Sequence, residues 1–172
     1  VKSLVVGDPM DEATDVSALI QRSEAERVGN WIDAAMAGGA TLAVGGDRTP
    51  EGHVRPTVLV AADPTDDVCA NEIFGPVVVV RGFTDVNAAI AEANDSRYGL
   101  QAAIFTADID TAMQAAFTLD YGGVLINEVP TYRTDHMPYG GLRDSGNTRE
   151  GPAWAIRELT EERLVIIKTP LA

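Results

Sequence analysis

Two side chains that could bind a ligand lie together in the stretch Asn71–Pro76, directly before four consecutive valines, Val77–Val80. The carboxylate of Glu72 can accept two hydroxyl hydrogens, and the ring of Phe74 offers a flat apolar face. Gly75 permits a sharp turn or a close approach of the backbone to a ligand. The spacing alone leaves two interpretations open: a ligand-binding loop, or a solvated glutamate beside a core phenylalanine.

The long stretch Asn127–Glu150 is rich in glycine and proline and has no hydrophobic period. A loop of this length in a compact domain is usually functional or disordered. Tyr132, Met137 and Tyr139 argue against disorder, because disordered segments contain few aromatic residues. This stretch is therefore the second candidate for a functional loop.

Arg133 is the one cation of the segment Glu128–Asp135, at the start of this loop, and a guanidinium group matches carboxylate, phosphate or sulfonate oxygens in pairs. Pro130 stiffens the entry to the loop, so the side chains beyond it can be held at a small entropy cost. An equally good alternative is a surface ion pair between Arg133 and Asp135 or Glu128.

Few other residues could do chemistry. Cys69 is the only cysteine, and its acidic neighbours disfavour the thiolate that a nucleophile needs, so we expect it to be inert. His53 lies in a polar segment that is typical of a surface hairpin, and His136 could orient the long loop. Two histidines and one cysteine that are far apart in sequence do not predict a metal site.

The elements that position these residues alternate between strand and helix. Four β-branched residues in a row, Val77–Val80, predict a strand that is buried on both faces. A capping box at Ser23 and Glu26 predicts the start of one helix, and Asp85 and Asp108 are candidate caps for two more. The alternation predicts a mostly parallel sheet with helices on both faces, within one domain over residues 1–172. The other predicted strands are Ala40–Val44, Thr57–Val60, Leu100–Phe105, Val124–Ile126 and Leu164–Ile167, and a last helix is predicted at Ala153–Leu159.

Composition excludes several kinds of partner. The formal net charge is −13 over 172 residues, which argues against nucleic acid and anionic membranes, since phosphate binding needs clustered lysine and arginine. No apolar run approaches the roughly 20 residues of a membrane helix. A single cysteine is typical of a reducing, cytoplasmic setting.

Several motifs resemble those of the NAD(P)-dependent aldehyde dehydrogenases, in the family's order and at similar spacing, and they cover nearly the whole chain. The resemblance implies a three-layer α/β/α catalytic-domain fold without the cofactor-binding domain, because it extends only over the C-terminal part of such an enzyme. The motifs are Glu72-Ile73-Phe74-Gly75-Pro76-Val77, Asn94–Leu100, Ile126-Asn127, Met137–Gly146 and Arg149-Glu150-Gly151.

The resemblance also implies roles for individual residues. Glu72 matches the position that hydrogen-bonds the nicotinamide ribose of NAD or NADP, and Phe74 the position beside the nicotinamide. Thr131, Arg133 and Tyr139 are expected to contact the aldehyde. The family's nucleophilic cysteine and general base have no counterpart in this chain, so no catalytic residue is assigned and the chain alone is expected to be inactive.

The expected substrate is a small polar aldehyde, and the expected assembly is a homodimer or homotetramer that uses residues 163–172 as an intersubunit strand. The alternative is a non-catalytic binding or assembly module.

Overall fold

The computed structural model describes residues 1–49 and 51–168. The chain divides after Thr84 into two compact units, Val1–Thr84 and Asp85–Ala172. Each unit contains helices and paired strands. One domain over residues 1–172 stays a prediction.

The first unit is built around one long helix and a three-stranded sheet. Its core joins Val28 and Ile32 of the helix to Leu59 of the sheet, and all three are 0% exposed. Burial of one such side chain contributes about 1.5–3 kcal/mol relative to leaving it exposed. The elements are α1 (Arg22–Ala37), β1 (Thr41–Val44), β2 (Thr57–Val60), α2 (Asp67–Ala70) and β3 (Val77–Val80).

Helix α1 begins two residues earlier than the predicted capping box implies, with Gln21 rather than Ser23 at the N-cap position. Gln21 precedes it in an extended conformation, and no side chain caps its first turn. The predicted capping box is therefore wrong: Ser23 already lies in the first turn, where its hydroxyl no longer occupies the N-cap position. The predicted end is confirmed, because the helix stops at Gly38 and Gly39 takes a φ of +112°.

Strand β3 pairs in parallel with β2, in a register that places Thr57 beside Val77 and Val60 beside Val80. Val77 and Val79 pack against the core, but Val78 and Val80 are 49% and 47% exposed. The expectation of burial on both faces is thus wrong within the described residues. The reason is that α1 and its core cover only one face of this sheet.

The second unit contains a βαβ arrangement. Strand β5 precedes helix α4 in sequence, strand β6 follows it, and the two strands pair in parallel. Strands β4 and β7 form a separate antiparallel pair. The predicted caps are confirmed: Asp85 accepts a hydrogen bond from the Asn87 amide, and Asp108 from the Thr111 amide. The elements are α3 (Val86–Asn94), β4 (Tyr98–Gly99), β5 (Gln101–Ile104), α4 (Ile109–Thr118), β6 (Gly123–Ile126), β7 (Leu142–Arg143) and α5 (Pro152–Leu159).

Helix α4 buries only part of the face that its periodicity predicts, which comprises Ile109, Ala112, Met113 and Ala116. Ala112 and Ala115 are buried, whereas Ile109 and Met113, which were expected to point inward, are 69% and 43% exposed. Helical periodicity shows which residues share a face of the helix, but it does not show which face packs against the rest of the protein. Here the buried residues are Ala112 and Ala115, on a helix that packs against β6.

The predicted α/β class is confirmed, and β5 and β6 pair in parallel as the alternation of strand and helix requires. The other parallel pair, β2 with β3, was not predicted, and only the short helix α2 lies between its strands. The strands lie in three small sheets, because β3 and β5 each have a partner on only one edge within the described residues.

Residues Leu164–Ile167 have no strand partner in the described part of the chain, and each is at least 66% exposed. Their role as an intersubunit strand stays a prediction, and residues 169–172 lie outside the described residues. None of the helices in the described ranges has the length and apolar character needed to cross a membrane.

Candidate functional site

Glu72 and Phe74 lie on a short loop between α2 and β3. Both side chains are exposed, and the Phe74 ring is 72% exposed, whereas Ile73 between them packs against the core. The loop therefore presents a carboxylate and an aromatic face to solvent. This arrangement rules out the interpretation of Phe74 as a core residue within the described chain and fits a ligand-binding loop.

Phe74 has a φ of +45°, a conformation that is uncommon for any residue except glycine and costs on the order of 1–3 kcal/mol. Such a conformation persists only where surrounding contacts hold it. Two contacts with helix α1 do so. Arg27 Nη2 donates a hydrogen bond of 2.8 Å to the Ile73 carbonyl, and Gly75 lies so close to Val28 that a β-carbon would come within 3.0 Å of the valine methyl.

The loop lies at the amino end of β3, and its last residue accepts a hydrogen bond from the Thr57 amide at the amino end of β2. Ligands of parallel sheets bind outside the carboxyl ends of the strands, so the sequence predicts a site at the loops after Ile126 and around Glu72. For the Glu72 loop this reasoning is wrong, because Glu72 precedes β3 in sequence. The loop after Ile126 does follow the carboxyl ends of β5 and β6, as predicted.

The structure brings Arg133 and Tyr139 together in the second unit. The guanidinium carbon lies 4.4 Å from the centroid of the Tyr139 ring. Arg133 Nη2 also donates a hydrogen bond of 2.8 Å to Glu150 Oε2, with the two side chains 43% and 61% exposed. The cation is thus held on its face by a ring and at one nitrogen by a carboxylate.

The ion-pair partner of Arg133 differs from both candidates suggested by the sequence. It is Glu150, which lies 17 residues further along the chain, rather than Asp135 or Glu128. Guanidinium carries five N–H donors. One of them bonds to Glu150, and no other hydrogen bond from this side chain to a described residue is present. The remaining donors can still bind an anion.

Backbone pairing fixes this arrangement. The amides of Tyr139 and Glu150 each donate to the other's carbonyl, at 3.2 and 2.6 Å. Gly140, the next residue, runs so close to the Thr148 carbonyl that a β-carbon could not fit. The sequence favours a structural turn at Pro138–Gly141, but the structure has an antiparallel bridge between Tyr139 and Glu150 there instead, and this bridge holds the loop.

The loop is also anchored where it begins. The Asn127 side chain accepts a hydrogen bond of 2.8 Å from the Thr106 amide and donates one of 3.0 Å to the Thr106 carbonyl. Asn127 has a φ of +58°, which asparagine tolerates better than most residues. At the other end, Met137 and Tyr139 line a cavity of about 60 Å³ together with residues of β5 and β6.

The other predicted contact residue, Thr131, is exposed and lies in a turn that the Tyr132 amide closes on the Val129 carbonyl at 3.0 Å. Tyr132 itself is 47% exposed. Cys69 lies half-buried beside the core of the first unit. No cluster of metal-binding side chains exists in residues 1–49 and 51–168.

Sequence reasoning missed two residues. Arg27 was not identified, although its spacing from Glu24 and Trp31 places the three side chains on one helix face and favours contacts of the guanidinium with both. Glu150 was noted only within a motif, and its contact with Arg133 depends on the path of the loop, which no local pattern reveals.

Comparison with known proteins now defines the class. The aldehyde dehydrogenase family model matches residues 1–165, and the chain belongs to this family. Among curated relatives, it is 45% identical over 166 residues to a 3-sulfolactaldehyde dehydrogenase of Priestia aryabhattai, covering 96% of this chain and 35% of that protein. It is 44% identical over 170 residues to a lactaldehyde dehydrogenase of Methanococcus aeolicus, covering 98% and 36%. The chain thus spans about a third of these relatives' length.

Comparison with solved structures also identifies aldehyde dehydrogenases as similar proteins. The chain is similar to aldehyde dehydrogenase 21 of Physcomitrella patens in complex with the reaction product succinate, with a TM-score of 0.89, 38% identity and coverage of 93% and 33%. It is also similar to a glyceraldehyde-3-phosphate dehydrogenase of Methanocaldococcus jannaschii complexed with NADP, with a TM-score of 0.85, 39% identity and coverage of 91% and 34%. The predicted family is confirmed.

Proposed function

We propose that this chain is the C-terminal catalytic segment of an NAD(P)-dependent aldehyde dehydrogenase that oxidises a small polar aldehyde to its carboxylic acid. The observation that carries the proposal, beyond membership of the family, is the exposed pair Glu72 and Phe74 on a loop held against α1. In the reaction, a hydride leaves the aldehyde for NAD or NADP, and water supplies the second oxygen of the acid.

Glu72 and Phe74 would hold the nicotinamide end of the cofactor. The Glu72 carboxylate accepts hydrogen bonds from the ribose hydroxyls, and the Phe74 ring packs beside the apolar edge of the nicotinamide. Their exposure on one loop, with Ile73 partly buried against the core between them, fits this role. The pair positions the reacting ring and takes no proton itself.

Arg133, with Thr131 and Tyr139, would bind the far end of the aldehyde. The unused donors of Arg133 suit a carboxylate, phosphate or sulfonate group, and the Tyr139 ring stacked on the guanidinium limits its motion. The relatives' names point to substrates of this kind, since they include 3-sulfolactaldehyde and lactaldehyde. We therefore assign a small aldehyde that carries an anionic or hydroxyl group.

The covalent steps would depend on residues that this chain does not supply. A cysteine thiolate must attack the aldehyde, and a general base must activate the water. Cys69 is unsuited to the first role because it packs beside the core of the first unit. Loss of a nucleophile alone costs ~10⁶ in rate, so the 172-residue chain by itself is inactive in this proposal. The complete enzyme is a homo-oligomer.

The test is a comparison of the complete enzyme with the 172-residue chain. The complete enzyme should reduce NAD or NADP only when an aldehyde is present, as followed by the absorbance of the reduced nicotinamide. The isolated chain should show neither reduction nor micromolar NAD binding by calorimetry. Turnover by the isolated chain would contradict the assignment. A complete protein that reduces neither cofactor with any small aldehyde would favour the non-catalytic binding or assembly module.

A further inference from the structure

Arg27 makes three contacts, and one of them ties helix α1 to the loop of Glu72 and Phe74. Its Nη2 donates to the Ile73 carbonyl at 2.8 Å. The same guanidinium forms an ion pair with Glu24 at 2.8 Å and lies 4.4 Å from the centroid of the Trp31 ring. The bonded carbonyl belongs to the residue between the two proposed cofactor contacts.

Two residues of helix α1 fix the orientation of the Arg27 guanidinium without any contribution from the loop. Glu24, Arg27 and Trp31 are spaced three and four residues apart, so their side chains lie on one face of α1. The Arg27 side chain is 27% exposed, and it is held at its edge by a carboxylate and on its face by a ring. A planar guanidinium fixed in this way loses little entropy when it donates one more hydrogen bond.

The bond to the Ile73 carbonyl acts directly on the Phe74 conformation. That carbonyl and the Phe74 amide belong to one planar peptide group. Holding the carbonyl therefore holds the plane from which the φ of Phe74 is measured. Phe74 has a φ of +45°, which the residue does not adopt readily without support. Without the bond, the peptide can rotate and carry both flanking side chains to new positions.

We infer that Arg27 is a positioning residue for the nicotinamide, acting through the Ile73 carbonyl on Glu72 and Phe74. The inference rests on the cofactor role proposed for those two residues. Arg27 itself touches neither cofactor nor substrate. Its effect is on geometry, and misplacing a reacting group by ~1 Å costs on the order of 100-fold in rate.

The experiment compares Arg27→Met, Arg27→Lys and Glu24→Gln with Arg48→Met in the complete enzyme. Arg48 is a matched control because its side chain, 33% exposed, also bonds to α1, pairing with Asp33 at 2.6 Å, and its hydrogen bonds to described residues go to Glu26, Asn30 and Asp33 rather than to the 71–76 loop. Three quantities are measured: amide hydrogen exchange of residues 72–76, kcat and KM for NAD(P) with saturating aldehyde, and the melting temperature.

Arg27→Met should speed exchange in residues 72–76 and lower kcat about 10- to 100-fold, with a smaller effect on KM. Its melting temperature should fall no further than that of Arg48→Met. Arg27→Lys should retain part of kcat because an ammonium can still donate to the carbonyl. Glu24→Gln should have a weaker effect in the same direction, and it decides the matter if Arg27→Met does not fold.

The inference is overturned if the wild-type enzyme is active and Arg27→Met has the same amide exchange and the same kcat as Arg48→Met. If the wild type has no aldehyde-dependent activity, the proposed function fails instead. The exchange of residues 72–76 then still decides whether Arg27 holds the loop, and unchanged exchange would overturn the inference in that case too.

Discussion

Tyr139 and Glu150 pair through their backbones, and this pairing brings both side chains to Arg133. The two amides donate to the opposite carbonyls at 3.2 and 2.6 Å. The Tyr139 ring then lies 4.4 Å from the guanidinium carbon, and Glu150 Oε2 lies 2.8 Å from Nη2. A cation held from two sides keeps a fixed direction for its remaining donors, which is what recognition of an anionic substrate requires.

The first prediction concerns Arg133 as the source of substrate preference. Arg133→Met should lower kcat/KM for an anionic aldehyde and leave a matched neutral aldehyde almost unchanged. A hydrogen bond to a charged group contributes ~1.5–3 kcal/mol, so the ratio between the two substrates should fall roughly ten- to hundredfold. The measurement is kcat/KM for both aldehydes in the complete enzyme. A wild type that prefers neutral alkyl aldehydes, or an unchanged ratio, would make Arg133 a surface charge only.

The second prediction separates orientation of Arg133 from neutralisation of its charge. Glu150→Gln keeps an acceptor for Nη2 and removes the negative charge, so kcat/KM for the anionic aldehyde should be retained or rise. Glu150→Ala removes the acceptor as well and should lower kcat/KM for the anionic aldehyde by up to about fivefold, in line with the ~0.2–1 kcal/mol of an exposed ion pair. Glu128→Ala is the control, since that side chain bonds to the Val129 amide. Equal gains in both Glu150 variants would show that Glu150 only competes with the substrate.

The third prediction concerns Glu72. Glu72→Gln should slow turnover more than it weakens cofactor binding, because the ribose contact positions the nicotinamide. A shift of ~1 Å in that ring can cost on the order of 100-fold. Steady-state kinetics of the complete enzyme with saturating cofactor measure this, with the exposed Glu26→Gln as the control. An unchanged kcat would place Glu72 outside the site.

The fourth prediction concerns the C-terminal segment Leu164–Ile167. All four residues are apolar, and each is at least 66% exposed in the single chain. Unpaired apolar strand segments invite pairing with another chain. Removal of the residues after Arg163 should therefore reduce the oligomer of the complete enzyme to a smaller species. Light scattering on the full-length and truncated forms gives the number of subunits per particle. The same number of subunits in both forms would contradict the prediction.

The fifth prediction concerns the cap of α4. Hydrogen bonds from the Thr111 side chain and amide hold the pKa of Asp108 below its usual value. The folded state thus favours the carboxylate, and the stabilisation is complete above the unfolded pKa of about 4 and is lost as the pH falls through the lower folded value. Asp108→Ala should lower the melting temperature at neutral pH, and the difference from wild type should shrink in acid. Melting curves between about pH 7 and pH 3 measure this. A difference that does not change with pH would mean that the charge contributes nothing.

Local sequence determined several of the helices and strands of the fold. Asp85 and Asp108 begin their helices as predicted, because an N-cap acts on amides two or three residues away. The strands around α4 pair in parallel as the alternation of elements requires. The motifs around Glu72 and Tyr139 identified the family, since the resemblance depends on residue types and their order alone.

Tertiary structure decided the contacts between those elements. Arg133 pairs with Glu150 rather than with its near neighbours, and Arg27 reaches the Ile73 carbonyl from a helix 46 residues away in sequence. Tertiary structure also decided that Ala112 and Ala115 of α4 are buried while Ile109 is exposed. Caps and periodicity involve residues a few positions apart, whereas these contacts depend on the path of each loop and on which faces the packed neighbours leave uncovered.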